Sequence, residues 1–350
     1  GIDDKAGGVD FYPEVYVTRI PTEDASVMVS ICEKIVDFSN DSGTWKHNAL
    51  LLGAVSNYLL ELTGFLPTYG STLMERIRID ILDPLGYDST TMYEKDGVSP
   101  DPTPCDLPLT EENVHSEWSA TGYGIVNMDG HGSAWNIVRK IWWTENGNGL
   151  PEPSEMRYYS YFDEEDAVIL DDTHPSIVFS SACSNAYPEI AENMMASLLA
   201  NGACATVGAT RVSYYVPGWQ SEYWGGNRTI SYMFWKGLLL EDYRLGKALR
   251  MAHVWHKNYC DWLGNFSRAN IFDFNLYGDP SMKLDAEGSP SISGVDPQSA
   301  WNMGSLTVNI TGTNFMDGAQ VRLVMPGQSD TEAPAVDVGS TTRISATLDI

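Results

Sequence analysis

The sequence predicts an α/β fold, a mostly parallel sheet flanked by helices, with a smaller all-β unit after it. Three observations carry that prediction. Short, nearly continuous apolar runs alternate with segments of helical period, as expected when strands are buried on both faces by crossover helices. Two of the runs, YGIVNMDGHGSAW (123–135) and SIVFSSACSNAY (176–187), end on a reactive side chain among small residues. After Gly288 the helical period disappears and Gly, Thr, Ser and Val recur in short alternating runs. The expected units are therefore 1–287 and 288–350.

Taken in order, residues 1–13 are rich in Asp and Gly and read as a loop. EVYVTRIP (14–21) reads as a short strand closed by proline. Residues 22–38 follow with Val27, Met28, Ile31, Ile35 and Phe38 near one helical stripe and Thr22 as N-cap. NALLLGAVSNY (48–58) is an almost unbroken apolar run, hence a buried strand. Leu73, Ile77 and Ile81 restore the helical period over 68–82. Residues 95–117, rich in Asp, Pro and Glu, read as an irregular surface excursion. The strand over 122–128 comes next, then an acidic segment with Asp163, Glu164, Glu165, Asp166, Asp171 and Asp172. A second strand covers 176–182, followed by a helix over 188–202 closed by Gly202. Residues 203–210 form another buried strand, 229–240 and 243–260 two helices, and 275–286 a turn and closing strand. From Ser289 on, SLTVNITGTNF and AQVRLVM read as strands of a small β module. It stops at Ile350 without an obvious closing strand, as a shortened module would. The chain likewise opens at Gly1 as though already inside a domain.

Composition narrows the function. A hydrophobic content of 43% with eleven Trp supports a packed core. The 47 Asp and Glu against 21 Lys and Arg leave a net charge of −26. Nucleic acid and anionic membranes repel such a chain. No apolar run reaches the roughly 18 residues of a membrane span. The five cysteines contain no C-x-x-C pair, which removes zinc-ribbon and thioredoxin readings. Their odd number permits two disulfides and one free thiol without requiring either. There is no G-x-S-x-G elbow, Walker loop or dinucleotide fingerprint.

The chemistry rests on His131 and Cys183. A strand ending in Gly-His-Gly leaves an imidazole at its C-terminal edge, and one ending in Ser-Ala-Cys leaves a thiol there. Ligands of open α/β sheets bind at that edge, and a base beside a nucleophile is what covalent acyl transfer needs. Each residue alone has a plainer reading: a structural histidine in a glycine turn, and a buried thiol. Their joint position at two strand ends, with chain enough between for a crossover, favours the chemical reading.

DGHGSAW followed by SSACSNAY resembles the gingipain-like cysteine peptidases of the caspase–gingipain clan, over approximately residues 10–286. PEVYVTRIP and LYGDPSMKL agree with the same family. The resemblance implies a caspase-like α/β domain acting on protein or peptide substrates; the expectation for the chain is no cofactor. It makes Cys183 the nucleophile, His131 the general acid/base, and the backbone N–H groups of Gly132 and Cys183 the oxyanion hole. A glycine amide beside the histidine suits that role because donors must come within about 3 Å of the oxyanion. The carboxylate that orients the histidine in relatives has no counterpart in GAVSNYLLE, which leaves Asn57 and Glu61 as candidate orienters. The acid that selects arginine in some relatives has no counterpart in TYGSTLME. By alignment Ser181 and Tyr215 line the primary specificity pocket.

PSISGVDPQSAWNMGSLTVNITGTNFMDGAQVRLV resembles an IPT/TIG domain, an immunoglobulin-like fold. That implies a spacer, adhesion or carbohydrate-contacting module, and an extracellular or cell-surface address. The whole then reads as a secreted cysteine endopeptidase. Two rivals use the same residues: a sortase-like transpeptidase that passes the acyl group to an amine, and an adhesion or scaffold protein with a degenerate peptidase domain.

Other groups have blander expectations. His253, His256 and Cys260 share one helix face and lack the ligands that complete a tetrahedral metal set. His174 reads as a loop residue, and Asp129 as shaping the histidine loop. The acidic residues of 163–172 read as a solvated face, with calcium as a structural ion the alternative.

Overall fold

A computed structural model describes residues 15–260, 265–285, 291–301, 304–313, 315, 319–324, 331–340 and 342–349. The chain divides into two compact units, Gly1–Asp285 and Ala286–Ile350.

The first unit is built on a seven-stranded sheet. Its strands lie in the order Phe274–Gly278, Ala203–Ala209, Ser176–Ser181, Ile125–Asp129, Asn48–Gly53, Asp88–Tyr93 and Leu107–Pro108. All neighbours are parallel except Phe274–Gly278, which runs antiparallel to Ala203–Ala209. The apolar runs form these strands because both faces are covered. Leu50, Leu51, Leu52, Ile125, Val126, Ile177, Val178 and Phe179 are all fully buried. Helix Gly70–Ile77 lies close on Asn48–Gly53, where a Cβ on Gly70 would sit 2.6 Å from the Gly53 backbone. Helix Gly226–Leu239 packs on the cysteine strand through Phe234 against Phe179, with ring centroids 5.3 Å apart.

Strand order reverses between Asn48–Gly53 and Ile125–Asp129: later strands add on one side of this pair, Asp88–Tyr93 and Leu107–Pro108 on the other. Such a switch point opens a crevice outside the carboxyl ends of the two strands. Residues 54–58 and 130–133 leave the sheet at that crevice, and 182–185 leave the next strand over.

Several elements differ from the sequence reading. Of the strand expected over 14–21, the described part keeps only a single bridge, Arg19 to Tyr277. Asp24, not Thr22, caps the first helix, Ala25–Asn40, accepting from the N–H groups of Ser26 and Val27. The excursion at 95–117 holds strand Leu107–Pro108 and the start of helix Glu111–Ala120, capped by Thr110. Only Val114 and Trp118 of that helix are buried, too short a stripe to stand out among acids and serines. The acidic segment after the histidine contains a hairpin, Asn136–Trp142 with Met156–Asp163, to which His131–Gly132 adds a third short strand. The helix expected over 188–202 is confined to Met194–Ala200, with Gly202 just past its end at φ +75°. Strand Asp88–Tyr93 and helix Asn265–Asp273 were not anticipated.

The second unit has a four-stranded antiparallel sheet ordered Ser291–Asp296, Ser305–Thr313, Arg343–Asp349 and Ala335–Ser340, plus a small pair, Arg322–Leu323 with Thr331–Glu332. Val308, Ile310, Ile344, Ala346 and Leu348 form its core with Phe315. Arg343–Asp349 pairs on both sides. The expectation that the module lacks a late strand is thus corrected, since RISATLD alternates apolar and polar residues over a short run.

Candidate active site

Sheet register brings the histidine and the cysteine together. Asp129 pairs with Ser181 across adjacent parallel strands, and His131 and Cys183 each lie two residues further on. Gly132 is the point of contact between the two exits. A Cβ there would meet the Cys183 carbonyl oxygen at 2.8 Å, the Ala182 Cβ at 2.9 Å and Asn185 Nδ2 at 3.0 Å. Only glycine permits that approach.

Asn185 holds the contact. It is fully buried, and its Nδ2 donates to the carbonyls of Ser133 at 2.6 Å and Asn136 at 2.9 Å. Its Oδ1 accepts from Ser180 Oγ at 2.6 Å. The Met194 N–H adds a bond to the Ala134 carbonyl at 2.8 Å, tying the next helix to the histidine loop. Ser184, just past the cysteine, takes a left-handed backbone with φ 58°, a strained choice for a residue with a Cβ. Its N–H donates to the Arg211 carbonyl at 2.9 Å.

The imidazole is half-buried, and its Nε2 lies 3.1 Å from the Ser56 carbonyl oxygen. A carbonyl only accepts, so Nε2 carries the proton and Nδ1 keeps the lone pair. The Tyr158 ring stands edge-on at 5.9 Å and fixes the plane of the ring. Burial pushes the imidazole below its usual range, and the nearby Lys140 ammonium pushes the same way. The Ser56 carbonyl, Asp129 and Glu61 oppose that shift. The balance disfavours the charged form of the ring.

Neither candidate orienter is bonded to His131. Asn57 Nδ2 donates to the carbonyls of Leu66 at 3.0 Å and Tyr58 at 3.3 Å, which closes the 58–67 loop. Glu61 pairs with Lys140 and accepts from the Tyr58 N–H at 2.9 Å, so it reaches the imidazole only through space. The position beside Nε2 belongs to the backbone of Ser56, one residue before Asn57. Sequence cannot find it, because a carbonyl oxygen is common to every residue.

Ser56 is held in turn. Arg228 Nη2 donates to Ser56 Oγ at 3.0 Å and Nη1 to the Tyr69 carbonyl at 2.9 Å. The same guanidinium grips Asp129 with Nε at 3.0 Å and Nη2 at 2.5 Å, both side chains 2% exposed or less. Burial drives the Asp129 carboxyl upward, and Arg228 opposes it. Asp129 thus shapes the loop, as expected, by locking three strand exits to one helix.

Around the thiol, Cys183 Sγ donates to the Ser213 carbonyl at 3.3 Å. Ser181 lies beneath it, buried, its carbonyl accepting from Asn227 Nδ2 at 3.0 Å. Ser181 Oγ and Asn227 Oδ1 are both buried without a hydrogen-bond partner. Tyr215 is half-buried, and burial raises its hydroxyl to about 12, with Glu61, Tyr158 and Asp129 pushing the same way. It therefore shares the surroundings of His131.

The remaining candidates lie elsewhere. All five cysteines are free thiols. His253 and His256 are buried, and burial takes them to about 3 and about 4. His174 packs edge-on against Trp45 at 4.9 Å. The acids of 163–172 serve several turns: Asp163 Oδ1 accepts from the N–H groups of Glu165 and Asp166, Asp171 from Thr173, and Asp172 from Gly202 and Lys34 Nζ. Asp166 differs in lying with one ligand atom within 4.8 Å of ligand atoms of Glu111 and His115.

A family model described as peptidase family C25, the gingipain family, matches residues 2–285, and the chain belongs to that family. It is a family of cysteine peptidases. No curated protein and no solved structure gives a match.

Proposed function

We propose that this member of peptidase family C25 is a secreted endopeptidase that cleaves peptide bonds with Cys183 as nucleophile and His131 as general acid/base. One observation supports the reading best: two adjacent parallel strands, paired at Asp129 and Ser181, deliver the imidazole and the thiol to one crevice with Gly132 packed on Cys183.

The cycle follows from the tautomer. Nε2–H stays on the Ser56 carbonyl, so Nδ1 takes the thiol proton. The thiolate attacks the substrate carbonyl, and the N–H groups of Gly132 and Cys183 hold the oxyanion that forms. Collapse breaks the C–N bond, and the imidazolium returns its proton to the departing amine. Water, deprotonated by the same nitrogen, then cleaves the thioester and frees the enzyme. Burial keeps the resting imidazole unprotonated, and the Ser56 carbonyl, Asp129 and Glu61 preserve its basicity. The Ser56 carbonyl does the orienting that a carboxylate would otherwise do.

Ser181, Asn227 and Tyr215 form the floor and side of the primary specificity pocket in this reading. Two unpartnered buried oxygens, Ser181 Oγ and Asn227 Oδ1, offer acceptors to a substrate group that donates. The loop that closes on Asn57 exposes Leu59, Leu60, Phe65 and Leu66, each more than half exposed, an apolar rim for neighbouring substrate side chains. The net charge of −26 disfavours acidic substrates. An address outside the cell suits that charge and the β-rich second unit, which we read as a surface or carbohydrate-contacting module. Among the described residues, no helix is long and apolar enough to cross a membrane.

A peptide-library cleavage profile of the wild-type chain and of Cys183→Ala tests the proposal. The wild type should cleave, favouring polar donor or apolar side chains near the scissile bond, and Cys183→Ala should be inert. Cleavage that survives in Cys183→Ala would overturn it.

A further inference from the structure

We propose that Glu111, His115 and Asp166 form a binding site for a divalent first-row transition ion, zinc before others, which clamps helix Glu111–Ala120 to the turn that precedes the cysteine strand. The site lies near the end of the hairpin Asn136–Trp142 with Met156–Asp163 at which Asn136 pairs with Asp163, in residues that no step of the peptidase cycle uses.

Three observations carry it. One ligand atom from each residue lies within 4.8 Å of the others. Glu111 and His115 stand one helical turn apart and so share a face of their helix. Asp166 begins the short 3₁₀ helix Asp166–Ile169 and is nine-tenths buried. Its Oδ2 accepts from the Asp163 N–H at 2.7 Å, which turns Oδ1 toward His115.

The contact between His115 and Asp166 is the informative one. His115 Nε2 is shielded from solvent and lies 2.7 Å from Asp166 Oδ1, yet makes no aligned hydrogen bond. A simple ion pair would direct an N–H at the oxygen. Two atoms that approach closely without that alignment are disposed to become neighbouring ligands of one ion: tetrahedral bonds of about 2.0–2.1 Å to zinc set adjacent ligands about 3.3 Å apart, which the pair reaches by opening about 0.6 Å. The Phe162 ring, edge-on to the imidazole at 6.4 Å, limits its rotation. Calcium and magnesium prefer all-oxygen shells, so an imidazole selects the transition series. Glu112 lines the same groove and Glu164 acts on Asp166 through space, both adding negative potential, while Arg139 in the groove lining partly offsets it. The open groove between Glu111, His115 and Ser160 leaves room for water to complete the shell.

The clamp has a structural meaning. Asp166 follows the hairpin whose first strand pairs with His131–Gly132, and it precedes strand Ser176–Ser181. A bound ion would fix the connection between the two reactive segments.

Isothermal titration with zinc tests the site on full-length Cys183→Ala, in which the crevice thiol cannot compete for the metal. One binding event should vanish, or weaken by about 100-fold or more, when His115→Ala or Asp166→Asn is added, because even outer partners of metal ligands are worth about 10–100-fold. Zinc should also raise the melting temperature of Cys183→Ala, by about 5 °C at saturation, and leave the His115→Ala form unmoved. If His115→Ala fails to fold, Glu111→Gln on the exposed side of the site gives the same reading. Zinc binding that is unchanged by all three substitutions, or no binding by Cys183→Ala, would overturn the proposal.

Discussion

Gly132 offers the sharpest perturbation, because the structure sets its cost. Its φ lies outside the left-handed region, so in Gly132→Ala the space around a new methyl group decides the outcome. That methyl would lie 2.8 Å from the Cys183 carbonyl oxygen and 2.9 Å from the Ala182 Cβ, where ordinary contact begins near 3.4 Å. Neither neighbour can swing aside: one is backbone and the other a methyl on the same segment. The histidine and cysteine exits must therefore part by about 0.6 Å. A misplacement of about 1 Å costs about 100-fold in rate, so kcat should fall by about 10- to 100-fold, or about 1.4–2.7 kcal/mol of transition-state stabilisation. KM should change little, because in the proposed cycle the Gly132 N–H acts on charge that exists only in the transition state. Overpacking should cost about 1–3 kcal/mol of stability. The assay is steady-state kinetics on a cleaved library peptide, with the active fraction counted by thiol titration and folding checked by thermal melting. A kcat within twofold of wild type in a folded Gly132→Ala would refute the reasoning, for then the close approach serves no catalytic purpose.

Three further outcomes follow from the same geometry. Asn185→Ala strands the Ser133 and Asn136 carbonyls and Ser180 Oγ, at about 1–3 kcal/mol each where no water enters; denaturant melts should show the loss, and kcat should fall with it. In pH profiles of kcat/KM the acid limb should lie below the usual imidazole range of about 6.5, because burial disfavours the imidazolium. Lys140→Met removes a repelling charge and should move that limb to higher pH, whereas Glu61→Gln removes an attracting one and should move it lower. A Glu61→Gln enzyme with no activity at any pH would show that Glu61 orients the ring after all. With limiting iodoacetamide at neutral pH, mass spectrometry should find Cys204 and Cys260 unmodified in the folded chain, since burial pushes both thiols up to about 12. Early modification of either would contradict their placement.

The sheet was legible because its strands are almost wholly apolar: NALLLG, GIVNM, SIVFS and ACATVGA admit few other readings. Both reactive residues were legible for a related reason, since small residues around a His or Cys at a strand end stand out against branched aliphatics. What escaped depended on partners distant in sequence. Asp88–Tyr93 is DSTTMY, polar enough to pass for a turn, and becomes a strand because Asn48–Gly53 offers it a ladder. Helix Glu111–Ala120 buries only Val114 and Trp118, and its Thr110 cap was hidden in a run of acids. The site's supports were the least visible of all. Ser56 acts through its backbone, Arg228 reaches Asp129 across 99 residues of chain, and Asn185 works only when two loops already meet. The search for an orienting carboxylate went to Asn57 and Glu61 because side chains are what a sequence displays.

The central claim is that Cys183 attacks and His131 activates it. The most direct measurement is covalent labelling with a peptidyl acyloxymethyl ketone, followed by peptide mapping in wild type, Cys183→Ala and His131→Ala. The account predicts one adduct on the wild type, on the peptide that carries Cys183. It predicts no adduct on Cys183→Ala, and labelling of His131→Ala slowed by at least about 100-fold at neutral pH. Peptide cleavage by Cys183→Ala, or an adduct on another cysteine that tracks loss of activity, would contradict it.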